Sequence, residues 1–213
     1  EEHWTGYLAS DPLKPTPWQL ALSARFVKDA CVIMPDSTDL GLAMQKLGLK
    51  GNYCTLTNVV DTKLFKPQPK PADRKRIRLL HISTLHPQQK NFTGLLRALN
   101  NLNDLRNDFV LEVVSEGDYE PYRELAHDLD LADNIRFHGT LKTAEIADLA
   151  AKCDVLLLFS RYENFPCVIP EALAAGIPVL STRVGGIHEH VLPPLGRLVE
   201  SEDEQAFART LYE

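Results

Sequence analysis

"DVLLLFSRYENFPCVIPEALAAGIPVLST", residues 154–182, contains a nearly all-apolar run, a helical segment and a second apolar run. The run DVLLLFS predicts a strand that is covered on both faces, because strands of that kind lack alternation between polar and apolar residues. FPCVIPEALAAG predicts a helix, and Gly176 is suited to end it. PVLST then predicts a second strand. Together these segments predict a right-handed βαβ unit.

The same order of strand and helix extends through the chain from Ile77 onward. The further predicted strands are IRLLHIST, FVLEVVS, NIRFHG and GRLV, and the further predicted helices are NFTGLLRALNNL, YEPYRELAHDLDL and KTAEIADLAAKC. We expect Gly139 to end NIRFHG and Thr143 to cap the last of these helices. The pattern predicts an α/β fold with a doubly wound, mainly parallel, Rossmann-like sheet, whose ligands lie beyond the carboxyl ends of the strands.

The first 66 residues predict the tail of another α/β unit. PWQLALSARFVKDA and STDLGLAMQKLG are predicted helices, and CVIMPDS and YCTLTN are predicted strands. The proline-bearing stretch that follows predicts a linker over residues 67–75, with a second domain over residues 76–213. No Met opens the chain and AFARTLYE stops within a helical pattern, so we expect a fragment that is truncated at its end.

Composition excludes several classes of function. A net charge of −6 argues against nucleic-acid binding, which needs a basic face. The basic run KPADRKRIR is interpreted as a solvated linker. No apolar stretch is long enough to span a bilayer. Four scattered cysteines suggest neither a zinc site nor disulfides, and they favour a cytoplasmic protein with reduced thiols. The histidines of HEH do not share a helix face, so no metal site is predicted.

Two glutamates, Glu163 and Glu171, stand eight positions apart around the predicted helix start. On one continuous helix they would lie about 12 Å apart along the axis, so they approach one ligand only if Glu163 lies in the preceding turn. Pro166 supports a helix start in that region. Glu171 would then lie near the helix start, where it either binds a ligand or complements the helix dipole.

Further candidate residues lie in turns at the same edge of the predicted sheet. Lys90 comes just before a helix, where a cation beside free N–H groups would hold a phosphate, although a solvated loop lysine is the alternative. Gly117, Gly185 and Gly186 would let the backbone approach a ligand closely, or would simply form loops.

The assembled order of segments resembles a known family. LTNVVDTKLFKP, LLHISTLHPQQKNFTGLLRAL, LEVVSEGD, IRFHGTL, CDVLLLFSRYENFPCVIPEALAAGIPVLSTRVGGIHEHV and GRLVE together resemble the retaining GT-B glycosyltransferases of the family 4 type, the glycosyl transferases group 1. The resemblance begins near Ala24. It covers the carboxyl-terminal half, which binds a nucleotide sugar, and the last elements of the acceptor-side amino-terminal half.

The resemblance implies roles for individual residues. Glu171 would accept hydrogen bonds from the ribose, Glu163 would bind hydroxyls of the donor sugar, and Lys90 would pair with the diphosphate. The backbone of Asn164 and Phe165 would lie beside the sugar and diphosphate. The remaining donor-side positions are Gly139, which would border the base, and Thr84, Gly117, Gly185 and Gly186.

The resemblance also implies substrates. The donor would be a UDP-, GDP- or similar sugar nucleotide, and the acceptor a carbohydrate or lipid-linked molecule, with retention of configuration and neither cofactor nor metal. Any peripheral membrane association would involve the part of the amino-terminal half that this fragment lacks. The fragment alone would transfer no sugar. The alternatives are a non-enzymatic nucleotide-binding or interaction module, or another GT-B enzyme such as a sugar-nucleotide epimerase.

The chain departs from the family pattern at two turns. Ser83 and Thr84 stand where the family has Gly-Arg, and that arginine partners the lysine on the diphosphate. His86 is a candidate substitute for the missing charge. Ser115 replaces the first glycine of a Gly-x-Gly turn, which leaves less room for the backbone to approach a ligand.

Overall fold

Six parallel strands form the centre of the structure. The computed structural model describes Tyr7, residues 14–70 and residues 75–213. The strands are β1 (Ile77–Ile82), β2 (Phe109–Val114), β3 (Ile135–Phe137), β4 (Val155–Leu158), β5 (Val179–Thr182) and β6 (Gly196–Val199). They lie in the order β3-β2-β1-β4-β5-β6, and all neighbouring pairs are parallel. The predicted doubly wound α/β sheet is confirmed.

Eight helices accompany these strands in the described part of the chain. They are α1 (Pro17–Asp29), α2 (Thr38–Lys46), α3 (Pro87–Lys90), α4 (Phe92–Asn103), α5 (Glu120–Asp128), α6 (Thr143–Ala150), α7 (Val168–Ala174) and α8 (Glu204–Tyr212). The chain moves outward from β1 through β2 to β3, and β4 then pairs with the other side of β1. This reversal leaves a crevice beyond the carboxyl ends of β1 and β4, where open α/β sheets bind ligands.

Two apolar layers cover the sheet because neighbouring strand residues point to opposite faces. Leu79 and Leu157 belong to the layer that contains α4, α5 and α8, whereas Leu80 and Leu156 belong to the layer that contains α6 and α7. The apolar positions of α4 at three-four spacing are all buried, as the sequence predicts; they are Phe92, Leu95, Leu96, Leu99 and Leu102. The sheet is therefore a rigid platform for the turns at its carboxyl edge.

The amino-terminal segment contains less sheet than the sequence predicts. α1 and α2 are confirmed, but the predicted strands CVIMPDS and YCTLTN form only one parallel bridge, between Ile33 and Tyr53. Ile33 donates to Asn52 O at 2.8 Å and accepts from Cys54 N at 2.9 Å. Pro35 offers no N–H to extend the ladder. The strand prediction is wrong here because the two segments pair with each other at a single bridge, which is too short to form a strand.

Local predictions near the helices also need correction. Thr143 is the first residue of α6 rather than its cap, and Lys142 occupies the cap position with its N–H bonded to a Glu145 oxygen at 2.8 Å. β3 ends at Phe137, two residues before Gly139. None of the helices in residues 14–70 and 75–213 has the length and apolar character needed to cross a membrane.

The basic run KPADRKRIR is not simply solvated. Lys70 donates to Cys153 O and forms an ion pair with Asp154, and Arg78 forms an ion pair at 2.6 Å with Glu112, which is fully buried. The interpretation as a solvated stretch is wrong at these two positions, because both side chains form ion pairs with carboxylates of the folded chain. Residues 71–74, within the predicted linker, lie outside the described residues, and the proposed domain limits stay a prediction.

Candidate functional site

A cleft of about 420 Å³ opens at the carboxyl edge of the sheet, beside the crevice between β1 and β4. Turns after β1, β2 and β4 contribute its walls, together with residues that follow β3. Its polar lining residues are Ser83, Thr84, Lys90, Ser115, Glu116, Thr140 and Glu163. Its apolar lining comes from α6, the residues before it, α7 and the strand ends, and includes Val114, Leu141, Ile146 and Val168. The cleft thus has an apolar side and a polar, charged side.

Glu163 is the most constrained acid in the cleft. It lies in the turn between β4 and α7, and only 4% of its surface is exposed. Its Oε1 accepts from Lys90 Nζ at 2.5 Å and from Ser160 Oγ at 2.7 Å, and its Oε2 accepts from Gln89 Nε2 at 3.3 Å. A buried carboxylate needs such partners, because burying an unpaired charge is costly.

The Lys90–Glu163 ion pair joins the turn after β4 to the short helix after β1. Lys90 is the last residue of α3, and its side chain is 15% exposed. Among the residues that the structure describes, it is the one lysine or arginine that lines the cleft. The pair offers an incoming ligand a cation for anionic oxygens and a carboxylate for hydroxyl groups.

Glu171 lies in the first turn of α7, and Glu163 lies in the turn before that helix. The position of Glu163 before the helix agrees with the sequence analysis, but Glu171 does not line the cleft. Glu171 is half-buried, its side chain has no hydrogen-bond or ion-pair partner within residues 14–70 and 75–213, and burial raises its pKa above the usual range. It lies one turn along the chain from Cys167, which lines the cleft.

The turns after β1 and β2 pack tightly against each other. A Cβ added to Gly117 would lie 2.8 Å from Thr84 O, so the glycine is required for this approach. Thr84 lines the cleft, whereas Gly117 contributes through its neighbour Glu116. Gly139 has a φ of +67° with open space around it, and its carbonyl accepts from Ser115 N at 3.2 Å. These glycines shape the turns that border the cleft.

A buried histidine supports the turn that carries Thr84. His81 is fully buried in β1; its Nδ1–H donates to Leu157 O at 2.9 Å, because a carbonyl oxygen can only accept. Its Nε2 then accepts from Ser83 Oγ at 2.8 Å, and Ser83 Oγ accepts from Leu85 N at 3.1 Å. Burial lowers the pKa of His81 to about 4, so the neutral ring maintains this chain of hydrogen bonds at neutral pH.

Gly185 and Gly186 contact protein rather than the cleft. They begin a short 3-10 helix, Gly185–Glu189, and neither lines the cleft. A Cβ on Gly185 would lie 1.7 Å from Glu163 O, and a Cβ on Gly186 would lie 2.2 Å from the Ser37 Cβ. Gly186 N also donates to Asn164 O at 2.8 Å. The glycine pair therefore lets this turn press against the Glu163 turn.

Asn164 and Phe165 belong to the same turn as Glu163, and neither of them lines the cleft. The Asn164 Oδ1 atom is buried without a hydrogen-bond partner, and the Phe165 ring packs 4.1 Å from that of His190. His86, the candidate substitute for the missing arginine, does not line the cleft. The described residues contain no group of three potential metal ligands.

Sequence reasoning missed residues that act by supporting others. Ser160 and Gln89 hold Glu163, and Thr140, Glu116 and Cys167 line the cleft. The spacing of Ser160 and Glu163, three residues apart after a strand, is a local signal that a turn links them. Gln89 gives no such signal, because it meets Glu163 only through the fold.

Comparison with known proteins identifies a family and several relatives of this chain. The family described as glycosyl transferases group 1 matches residues 76–213. A mannosyltransferase of Mycolicibacterium hassiacum, described as MMP alpha-(1->4)-mannosyltransferase, is 32% identical over 68% of this chain and 35% of its own length. A GDP-mannose-dependent phosphatidylinositol monomannoside mannosyltransferase of Corynebacterium glutamicum is 30% identical over 74% of this chain and 45% of its own length. The match thus spans less than half of each relative.

Solved structures share the fold at lower sequence identity. Sucrose-phosphate synthase from Thermosynechococcus elongatus superimposes with a TM-score of 0.81 at 22% identity, over 99% of this chain and 56% of the other. HepE of Anabaena in complex with UDP gives a TM-score of 0.83 at 22% identity, over 95% of this chain and 59% of the other. These similarities show that this chain shares the fold of the matched part of each of these longer proteins.

Proposed function

Because the chain belongs to the glycosyl transferases of group 1, we propose that its cleft binds the donor, a sugar nucleotide such as a UDP- or GDP-sugar. The observation that carries this proposal is the cleft itself. Its lining contains the Lys90–Glu163 pair. Glu171 lies one helical turn along the chain from the lining residue Cys167, and it is a half-buried carboxylate without a hydrogen-bond or ion-pair partner among the described residues. Such a set suits a ligand that has both anionic oxygens and hydroxyl groups.

Lys90 is proposed to hold the diphosphate and Glu163 the hydroxyls of the sugar. A lysine binds phosphate oxygens as a compact positive charge, and an ionised carboxylate only accepts, so it suits hydroxyl donors. In the structure the two side chains neutralise each other at 2.5 Å. The ligand would loosen this pair, with the diphosphate taking Lys90 while Ser160 and Gln89 keep Glu163 in place.

Glu171 is proposed to bind the ribose. A carboxylate has two oxygens and can accept from both hydroxyls of a diol. Burial without a partner disfavours its charged form in the free protein, as the raised pKa reflects. Hydrogen bonds from the ribose would remove that penalty.

The base is proposed to lie beside the residues that follow β3. Gly139 begins a turn that leads to Thr140 and Leu141, and Ile146 of α6 adds apolar surface. A planar base is well suited to such a lining, in which apolar side chains and a few polar groups fix its position.

The parent protein is proposed to transfer the sugar to a carbohydrate or lipid-linked acceptor with retention of configuration. As the glycosidic bond breaks, negative charge gathers on the nucleoside diphosphate, and Lys90 would stabilise that charge where it develops. This role requires neither a cofactor nor a metal ion. We also propose that transfer needs parts which the longer relatives have outside the matched region, so that this chain alone binds the donor without turning it over.

Isothermal titration calorimetry with UDP, GDP and ADP tests the binding proposal. We expect at least one of these nucleotides to bind, and Glu171→Ala to weaken that binding about tenfold because a carboxylate that accepts from a diol is lost. Glu124→Ala, at an exposed position on α5, serves as the matched control. Equal affinity of Glu171→Ala and the unmodified chain would remove the ribose role.

A second candidate function rests on Thr84. The cleft has a single lysine and no arginine among its described lining residues, so the leaving group would meet little positive charge. A non-enzymatic nucleotide-binding module would tolerate this. Assays of the parent protein with a panel of donors separate the two candidates, because binding without any sugar transfer would favour the module.

A further inference from the structure

The main-chain carbonyl of Phe165 accepts a hydrogen bond from a side chain of the amino-terminal segment. Asn58 donates from Nδ2 to Phe165 O at 2.5 Å, across a separation of 107 residues along the chain. The peptide carbonyl of Phe165 is therefore bound by a side chain of the amino-terminal segment, although Phe165 belongs to the turn that carries Glu163.

The other side of the same turn has no room to move. A Cβ on Gly185 would lie 1.7 Å from Glu163 O, and Gly186 N donates to Asn164 O at 2.8 Å. The turn of residues 163–165 is thus enclosed between the Gly185–Gly186 turn and Asn58. Removing one support allows the turn to shift toward the side that has lost contact, because packed interiors leave few voids elsewhere.

The amino-terminal segment is itself fixed near this point. Glu189, from the 3-10 helix that starts at Gly185, accepts from Thr38 N at 3.0 Å and from Asp39 N at 2.8 Å, and so caps α2. Ser37 is fully buried beside Gly186. Asn58 therefore belongs to a segment whose position is fixed, and its hydrogen bond to Phe165 O fixes the Phe165 peptide relative to that segment.

We propose that Asn58 is a positioning residue for the sugar subsite, which fixes the Glu163 turn through its hydrogen bond to Phe165 O. This inference rests on the proposed function, because it assumes that Glu163 meets the sugar. Asn58 does not line the cleft. The effect should fall on the sugar rather than on the diphosphate, because Lys90 belongs to α3, after β1, and its ion pair with Glu163 is the contact that a bound diphosphate would loosen.

The selectivity gives a measurable quantity, the ratio of the dissociation constants for a sugar nucleotide and for its bare nucleoside diphosphate. Calorimetry measures this ratio with UDP-glucose and UDP, and with GDP-mannose and GDP. Asn58→Ala removes the donor, and Asn58→Asp keeps the side-chain shape but places a carboxylate against the Phe165 carbonyl. Asn52→Ala is the matched control, because Asn52 is exposed and donates to Cys31 O only at 3.4 Å.

We expect both Asn58 variants to raise this ratio about five- to tenfold while the bare nucleotide binds within about twofold of the unmodified chain, as loss of one hydrogen bond allows. Retained binding of the bare nucleotide also shows that a variant is folded. An unchanged ratio, or equal loss of both ligands, would overturn the positioning role. Failure of the unmodified chain to bind any of UDP, GDP and ADP would instead overturn the proposed function, and this inference with it.

Discussion

Removing Lys90 should destabilise the folded chain more than removing the charge of its partner. Lys90→Met leaves the Glu163 carboxylate 4% exposed, with hydrogen bonds from Ser160 and Gln89 but no cation. Breaking a buried ion pair in this way costs about 3–5 kcal/mol. The two remaining hydrogen bonds place the expected loss near the lower limit, at about 3 kcal/mol.

Glu163→Gln should cost less, because the remaining Lys90 side chain is 15% exposed and reaches water more readily. The glutamine oxygen can still accept from Ser160. We expect a loss of about 1 kcal/mol, comparable to one ordinary hydrogen bond. The double variant, with neither charge, should lose less than the sum of the two, with a coupling of about 1–2 kcal/mol between neighbouring sites.

Urea unfolding followed by circular dichroism measures all three variants against the unmodified chain. Linear extrapolation gives each free energy of unfolding, and equal slopes show that the unfolded states are comparable. Arg123→Met is a suitable control, because Arg123 and its partner Glu120 are both exposed and 3.5 Å apart, so its loss should be small. Equal costs for the two single variants, or strict additivity in the double variant, would refute the reasoning.

Three further predictions concern the supports of the cleft. His81 has a pKa of about 4 in the folded chain and about 6.5 when unfolded, so the unfolded chain takes up a proton first as the pH falls. The free energy of unfolding should therefore fall by about 3 kcal/mol between pH 7 and pH 4. In urea titrations, His81→Gln should lose that part of the pH dependence. Gly185→Ala should lower the free energy of unfolding by about 3 kcal/mol or more, since its Cβ would meet Glu163 O. Gly48→Ala is the control: Gly48 also has a positive φ but open space around it, so we expect a loss of about 1 kcal/mol. Similar losses for the two variants would contradict the packing role of Gly185. Glu171→Gln should raise the urea midpoint of the free chain, because the half-buried carboxylate loses its unpaired charge, and a lower midpoint would contradict this.

The order of strands and helices from Ile77 onward could be predicted because each element has its own apolar pattern in the local sequence. Apolar runs such as DVLLLFS are buried on both faces, and α4 places its apolar residues on one face. The same approach failed at Ile33 and Tyr53, where an apolar run predicts a strand but a ladder also needs neighbours. Strand formation depends on partners that a local pattern does not specify.

The site was predictable to the level of turns and not beyond it. The boundary near Pro166 was enough to place Glu163 before α7 and Glu171 within it. The ion pair between Lys90 and Glu163 depends on two turns that are 73 residues apart and meet only in the folded sheet. Glycines at 185 and 186 signal an unusual backbone, but only the structure shows that they serve contact with the Glu163 turn rather than with the cleft.

The most direct test of the account is a crystal structure of this chain with UDP or GDP bound. The account predicts electron density for the nucleotide in the cleft at the carboxyl edge of the sheet. Its diphosphate should lie within hydrogen-bond distance of Lys90 Nζ, and its ribose should lie against Glu171. A nucleotide bound elsewhere on the chain, or an empty cleft at saturating nucleotide concentration, would contradict the central claim.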